Sequence, residues 1–193
     1  MPVTSLTICP TDAGMELTRE EFAEAEFAEG YRYERHEGRL VAMPPPGDSH
    51  HFTLKPFRNI LGAYELAHPE IVEHVLQDSW VQINGNTDRI PDIAVYLRSA
   101  REPSPLAERV PEQVFEVVSP GWENRRRDYQ EKRSEYERLG VQEYVIVDLH
   151  DQRVTVLRLV DGKYDEQLLK PADTYRSSLL PELEIPLQSI IGG

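Results

Sequence analysis

The chain has 193 residues, and its 21 Lys and Arg against 34 Asp and Glu give a net charge of −13 at neutral pH. Hydrophobic residues make up 39% of it and the mean hydropathy is −0.53, which excludes a disordered chain and predicts a soluble globular protein. A single Cys excludes an internal disulfide framework, and no apolar run is long enough to span a membrane, so we predict a cytoplasmic protein. The pI near 4.9 is the opposite of what most nucleic-acid-binding proteins have.

The first half of the sequence predicts an N-terminal arm and the beginning of one domain. Residues 1–16 have no clear periodicity and are expected to form a loose arm, followed by a single domain over residues 17–193. Thr18 and Glu21 form a capping box at the start of a helix that we expect to end at Gly30. The next predicted elements are a hairpin with strands at 31–35 and 39–43, and a helix over about 50–67.

The second half predicts several strands and one long helix. Residues 93–97 and 114–118 are short continuous apolar runs, typical of strands that are buried on both faces. Residues 123–139 contain no Gly or Pro and predict a helix that ends at Gly140. Further strands are predicted at 75–83 and 144–147, and in a hairpin at 154–159 and 164–169. This order of elements indicates an α/β fold (α+β with a mixed sheet).

Two carboxylates fall in the strands predicted to be buried. Asp92 follows Pro91 at the start of one strand, and Glu116 lies in the middle of another. Burial of a carboxylate is costly unless it is paired or binds a cation. Two carboxylates on neighbouring strands suit Mg²⁺ or Mn²⁺, which prefer oxygen ligands. Alternatively, Asp92 caps a turn and Glu116 pairs with an arginine across the sheet.

The predicted helix over 123–139 directs a lysine towards the core. At 100° per residue from Tyr129, Lys132 falls in the middle of the apolar arc and Asp128 lies close to its edge. A lysine is seldom directed inward without a partner, and the strand carboxylates are available partners. The alternative is that Lys132 extends over the tyrosines to reach water.

Five segments occur in an order found in a known family: YRYERHEGRL (31–40), IPDIAV (90–95), FEVVSP (115–120), DYQEKRSEY (128–136) and GVQEYVIVD (140–148). With these segments the chain resembles the restriction endonuclease-like family of the PD-(D/E)XK nuclease superfamily. The resemblance runs from about Thr18 to the C-terminal strands, which is nearly the whole chain.

This resemblance implies a restriction endonuclease-like core and a magnesium-dependent site that hydrolyses phosphodiester bonds in DNA. By matching position, Asp92 and Glu116 would be the metal ligands, and Glu34 would add a catalytic carboxylate from the N-terminal region. The superfamily pattern places a lysine two residues after the glutamate, where this chain has Val118. The family resembled here supplies that lysine from the following helix, at the position of Lys132.

Three further residues are candidates for contact with the substrate. His50 lies at the start of the predicted second helix, where it could instead make only local hydrogen bonds. Arg125 begins a segment, 125–133, that contains five basic and two acidic residues. Ser119 follows the strand that carries Glu116, although a serine before Pro and Gly is also typical of a simple turn.

Two other functions remain open from the sequence. One is a catalytically silent nuclease-fold module that binds a protein partner, and the other is a metal-dependent phosphodiesterase acting on RNA or small nucleotides. Because the overall charge is strongly negative, we expect binding to DNA to be weak and dependent on metal. A homodimer is expected if both strands of a duplex are cut.

Overall fold

The computed structural model describes residues 6–98 and 106–192. The helices are α1 (Arg19–Glu24), α2 (Asp48–Ala67), α3 (Trp122–Arg126), α4 (Arg133–Leu139) and α5 (Gln188–Ile191), with a π-helical segment at Arg127–Lys132 between α3 and α4. The strands are β1 (Thr7–Ile8), β2 (Glu26–Phe27), β3 (Arg32–His36), β4 (Arg39–Met43), β5 (Val72–Leu76), β6 (Val81–Asn84), β7 (Thr87–Arg89), β8 (Ile93–Leu97), β9 (Gln113–Val117), β10 (Glu143–Asp148), β11 (Arg153–Val160), β12 (Lys163–Leu169), β13 (Thr174–Arg176) and β14 (Glu184–Pro186).

A six-stranded sheet in the order β12-β11-β10-β9-β8-β5 forms the centre of the molecule. Strands β9 and β10 are parallel and the other pairs are antiparallel, so the predicted mixed sheet is confirmed. Because side chains alternate along a strand, β9 packs Phe115 and Val117 against α2 and directs Val114 towards α4. Helices therefore cover both faces of this sheet, as expected from its apolar strands.

A smaller sheet in the order β4-β3-β7-β6 lies beside the first. The predicted hairpin of β3 and β4 is confirmed, and it turns at Glu37 and Gly38, both with positive φ. Glycine adopts this backbone conformation without strain, which explains why Gly38 is suited to a two-residue hairpin turn. The small sheet has its own apolar cluster, in which Tyr33 and Leu40 pack with Phe22.

The described part of the predicted arm is packed. Within residues 6–16, β1 pairs in parallel with β2, and Ile8 is fully buried in the cluster of the small sheet. The prediction of a loose arm is therefore wrong for these residues, since a two-residue strand is too short to produce a periodic pattern. Residues 1–5 of that arm lie outside the described residues.

Two predicted boundaries also differ from the structure. Helix α1 begins with the predicted capping box at Thr18 but ends at Glu24, because residues 26–27 are paired with β1. The strand predicted over 75–83 is divided between β5 in the large sheet and β6 in the small one. The chain thus leaves the large sheet after Leu76 and re-enters it at Ile93, directly after Asp92.

The helical segment after β9 matches its prediction closely. Helix α3, the π-helical segment and α4 together cover residues 122–139, and Gly140 ends them in the left-handed conformation with φ 94°. None of the helices in the part of the chain that the structure describes is long and apolar enough to cross a membrane.

Candidate active site

Strand pairing brings Asp92 and Glu116 together. In the antiparallel pair of β8 and β9, Ile93 lies opposite Phe115, so the position before Ile93 faces the position after Phe115. Asp92 is 2% exposed and Glu116 is 3% exposed. Two nearly inaccessible carboxylates therefore lie on adjacent strands, as the sequence predicted.

Asp92 is held by one backbone donor and by the side chains of Arg32 and His50. Its Oδ2 accepts a hydrogen bond of 2.8 Å from the amide of Val117, and its Oδ1 accepts one of 2.9 Å from Arg32 Nη1. His50 Nε2 lies 3.1 Å from the same Oδ1. Burial by itself raises the pKa of Asp92, but His50 and Arg32 outweigh burial and hold that pKa below its usual range. Asp92 is therefore ionised, and the turn-capping alternative is wrong.

Glu116 contacts the helix that covers its face of the sheet. Its Oε1 lies 2.6 Å from Lys132 Nζ and accepts a 3.2 Å hydrogen bond from Tyr136 Oη. Burial raises the pKa of Glu116, Lys132 opposes this increase, and the carboxylates of Asp92 and Asp128 add to it. The partner of Glu116 is thus a lysine from the helix, and the alternative of an arginine across the sheet is not observed.

Lys132 is directed inward as the helical wheel predicted. It is 3% exposed, and its Nζ lies 3.7 Å from Asp128 and 3.9 Å from Glu34 in addition to its short contact with Glu116. Burial lowers the pKa of Lys132, but these three carboxylates outweigh burial and raise it. The ammonium is therefore charged and enclosed by carboxylates, and it does not extend to water.

Glu34 approaches Lys132 from the small sheet. It is fully buried, its Oε1 accepts a 2.9 Å hydrogen bond from the amide of Ile90, and its Oε2 accepts a 3.0 Å hydrogen bond from Arg89 Nη1. Burial raises the pKa of Glu34, but Lys132 and Arg89 outweigh it and lower that pKa. Its Oε1 also lies 3.9 Å from Lys132 Nζ, so Glu34 lies where it can position Lys132.

The donor set suits a small, hard divalent cation. No group of three or more His, Cys, Asp and Glu side chains within residues 6–98 and 106–192 is placed to form a complete metal site. Mg²⁺ does not require one, because it usually keeps several waters and binds through one or two carboxylates together with substrate phosphates. Asp92 and Glu116 fit that description, as two buried carboxylates that face each other between β8 and β9.

The three predicted substrate contacts have different surroundings. His50 lies in the site beside Asp92, so the alternative of purely local contacts is not what the structure shows. Arg125 pairs with Asp148, which is 1% exposed, at 2.5 Å, and also with Asp151. Ser119 is partly buried two residues beyond the end of β9.

Several residues of the site were not among the predicted ones. Asp128 had a signal, since it lies one turn before Lys132 at the edge of the apolar arc. Tyr136 lies in one of the five family segments, and its hydroxyl contacts Glu116. Arg32 and Arg89 had no sequence signal, because their partners depend on which strands are adjacent.

The chain has a mixed sheet covered by helices, two buried carboxylates on adjacent strands and a lysine from the next helix. These features define it as a nuclease-fold α/β protein. The crystal structure of a putative nuclease belonging to DUF820 from Anabaena variabilis has the same fold, with a TM-score of 0.72 at 18% identity over 91% of this chain and 98% of that one. The model of the Uma2 family, described as "putative restriction endonuclease", matches residues 19–188. The chain therefore belongs to the Uma2 family. No curated protein matches it.

Proposed function

We propose that this protein is a divalent-metal-dependent endonuclease that hydrolyses phosphodiester bonds in DNA. The observation that carries the proposal is the convergence of Asp92, Glu116 and Lys132, with Lys132 Nζ 2.6 Å from Glu116. Membership of the Uma2 family and the nuclease-like fold support the same reaction class.

Each residue of the site has a distinct part in this reaction. Asp92 and Glu116 would hold Mg²⁺ or Mn²⁺, which when bound polarises the phosphate and lowers the pKa of a water molecule. Lys132 supplies a positive charge next to these ligands, where negative charge develops on the phosphate in the transition state. Glu34, on the small sheet, holds Lys132 at 3.9 Å. Arg32 neutralises Asp92, and both Arg32 and His50 lie beside this carboxylate, where they can contact a phosphate oxygen.

The surface around the site favours weak contact with nucleic acid. Three of the arginines in the basic segment are paired with acids: Arg125 with Asp148 and Asp151, Arg126 with Glu131, and Arg133 with Glu166. Trp122 is 69% exposed six residues after Glu116, and its indole offers a face on which a base can stack. We therefore expect DNA binding that depends on metal and decreases with salt.

The test is cleavage of supercoiled plasmid in Mg²⁺ and in Mn²⁺ by the wild type and by Asp92→Asn and Glu116→Gln. Loss of a metal ligand is expected to lower the cleavage rate at least ~100-fold. Asp88→Asn is the matched control, because Asp88 is similarly buried but pairs with Arg35 on the other side of the small sheet. Equal cleavage by Asp92→Asn and Asp88→Asn would refute the proposal.

Two additional measurements distinguish the other functions from this one. Cleavage of RNA or of small nucleotides in place of plasmid would assign the phosphodiesterase alternative. Binding of Mg²⁺ in calorimetry, without cleavage of any of these substrates, would assign the silent module.

We also propose that the protein acts in the cytoplasm and, if it cuts both strands of a duplex, as a homodimer. The single cysteine supports a reducing compartment. Two active sites are needed for cleavage of two antiparallel strands in one encounter. Light scattering coupled to size exclusion, with and without a short DNA duplex, measures the oligomeric state.

A further inference from the structure

A buried arginine outside the predicted site links three of its elements. Arg89, at the end of β7, is 1% exposed. Its Nε and Nη2 donate to both oxygens of Glu135 on α4, each at 2.8 Å, and its Nη1 donates to Glu34 at 3.0 Å. A guanidinium group can satisfy two carboxylates in this way because its donors form a fixed planar fork.

These contacts close a ring around Lys132. Lys132 Nζ faces Glu34 at 3.9 Å, Glu34 is held by Arg89, and Arg89 is held by Glu135. Glu135 lies three residues after Lys132 on the same helical face, so the helix backbone between these two residues completes the ring. Every member is at most 5% exposed, so water does not compete for these contacts.

We infer that Arg89 is a positioning residue that acts through Glu34 and Glu135 to restrict Lys132 to the orientation in which its ammonium meets Glu116. Arg89 touches none of the groups assigned to the metal. With the ring closed, Glu34 is held in place and Lys132 keeps one rotamer, although Asp128 lies only 3.7 Å from its Nζ. The catalytic consequence of this restriction depends on the proposed nuclease function, whereas the restriction itself does not.

The small sheet offers a matched control. Arg35 is 2% exposed and pairs at 2.8 Å with Asp88, which lies opposite it in the pairing of β3 and β7. Because side chains alternate along a strand, the pair of Arg35 and Asp88 points to the other face from Glu34 and Arg89. Arg35→Lys therefore weakens a similarly buried ion pair on the same two strands without touching the ring.

The experiment measures acylation of lysines by an N-hydroxysuccinimide ester in the absence of metal and DNA, resolved by peptide mass spectrometry. The chain has four lysines, and Lys55, Lys163 and Lys170 are exposed and serve as internal standards. We expect the labelling rate of Lys132 to rise about tenfold in Arg89→Lys and to stay at the wild-type value in Arg35→Lys. Glu135→Gln opens the same ring and decides the question if Arg89→Lys does not fold.

Cleavage kinetics supply the second readout. Loss of the restriction is expected to lower kcat about 10–100-fold with KM for DNA little changed, the range typical of residues that orient active-site groups. Unchanged labelling of Lys132 in both ring variants, or the same increase in Arg35→Lys, would overturn the inference. Absence of cleavage by the wild type would instead count against the proposed function and leave the labelling result valid.

Discussion

Replacement of Lys132 by methionine removes the cation that lies 2.6 Å from Glu116, and it tests how much of the site depends on that charge. At 2.6 Å the gross attraction between Lys132 and Glu116 is about 6 kcal/mol at an effective dielectric constant of 20. Desolvation of both ions offsets most of this energy, so the relevant quantity is the cost of leaving buried carboxylates unpaired. That cost is about 3–5 kcal/mol when one partner of a buried pair is removed.

For a chain of this length such a loss lowers Tm by about 10 °C. We also expect cleavage to fall about 10²–10³-fold, the effect of removing one donor that stabilises transition-state charge. Lys163→Met is the control, because Lys163 is 83% exposed and its 2.9 Å contact with Glu137 contributes at most about 1 kcal/mol. Thermal denaturation and plasmid nicking are measured on both variants. Cleavage by Lys132→Met within threefold of the wild type would show that this charge is not used in the reaction.

Three further outcomes are expected. Mg²⁺ at ten times its Kd should add about 1.4 kcal/mol to the free energy of unfolding of the wild type, which corresponds to a Tm increase of about 3–6 °C. The same Mg²⁺ concentration should not raise the Tm of Asp92→Asn, and an equal increase in both proteins would place the cation elsewhere. Glu143 is fully buried and accepts hydrogen bonds from side chains that include Gln113 and Tyr175. Glu143→Leu should therefore lower the free energy of unfolding, measured by urea titration, by about 3–5 kcal/mol, and a loss under about 1 kcal/mol would contradict this expectation. Gly121 has φ 109° and ψ 145°, so Gly121→Ala should cost about 1–3 kcal/mol from backbone strain alone, and an unchanged urea midpoint would refute that reasoning.

The residues that the sequence could identify are those whose orientation depends on local periodicity. The inward direction of Lys132 follows from helical repetition, and the burial of Asp92 and Glu116 follows from the apolar strands around them. These three residues needed no knowledge of which strands are adjacent. Asp92 and Glu116 then meet because β8 and β9 pair, and Lys132 reaches Glu116 because its helix covers that face of the sheet.

Residues whose partners come from distant strands could not be identified in this way. Arg89 has a role only because β7 lies beside β3, and nothing in residues 87–89 indicates that pairing. The π-helical turn at Arg127–Lys132 could not be predicted from the sequence either, since no residue type specifies it. The division of residues 75–83 between two sheets could not be predicted either, because it depends on which strands pair with β5 and β6.

The two sheets meet at the site mostly through ions. The small sheet packs apolar side chains into a cluster of its own, and near the site it contacts the large sheet and its helices through Ile83 and through the polar side chains of Arg32, Glu34, His36 and Arg89. Apolar packing is non-directional and allows two layers to slide, whereas charge-assisted hydrogen bonds hold atoms within a few tenths of an ångström. The ion pairs at the site thus also help to align the small sheet with the large one.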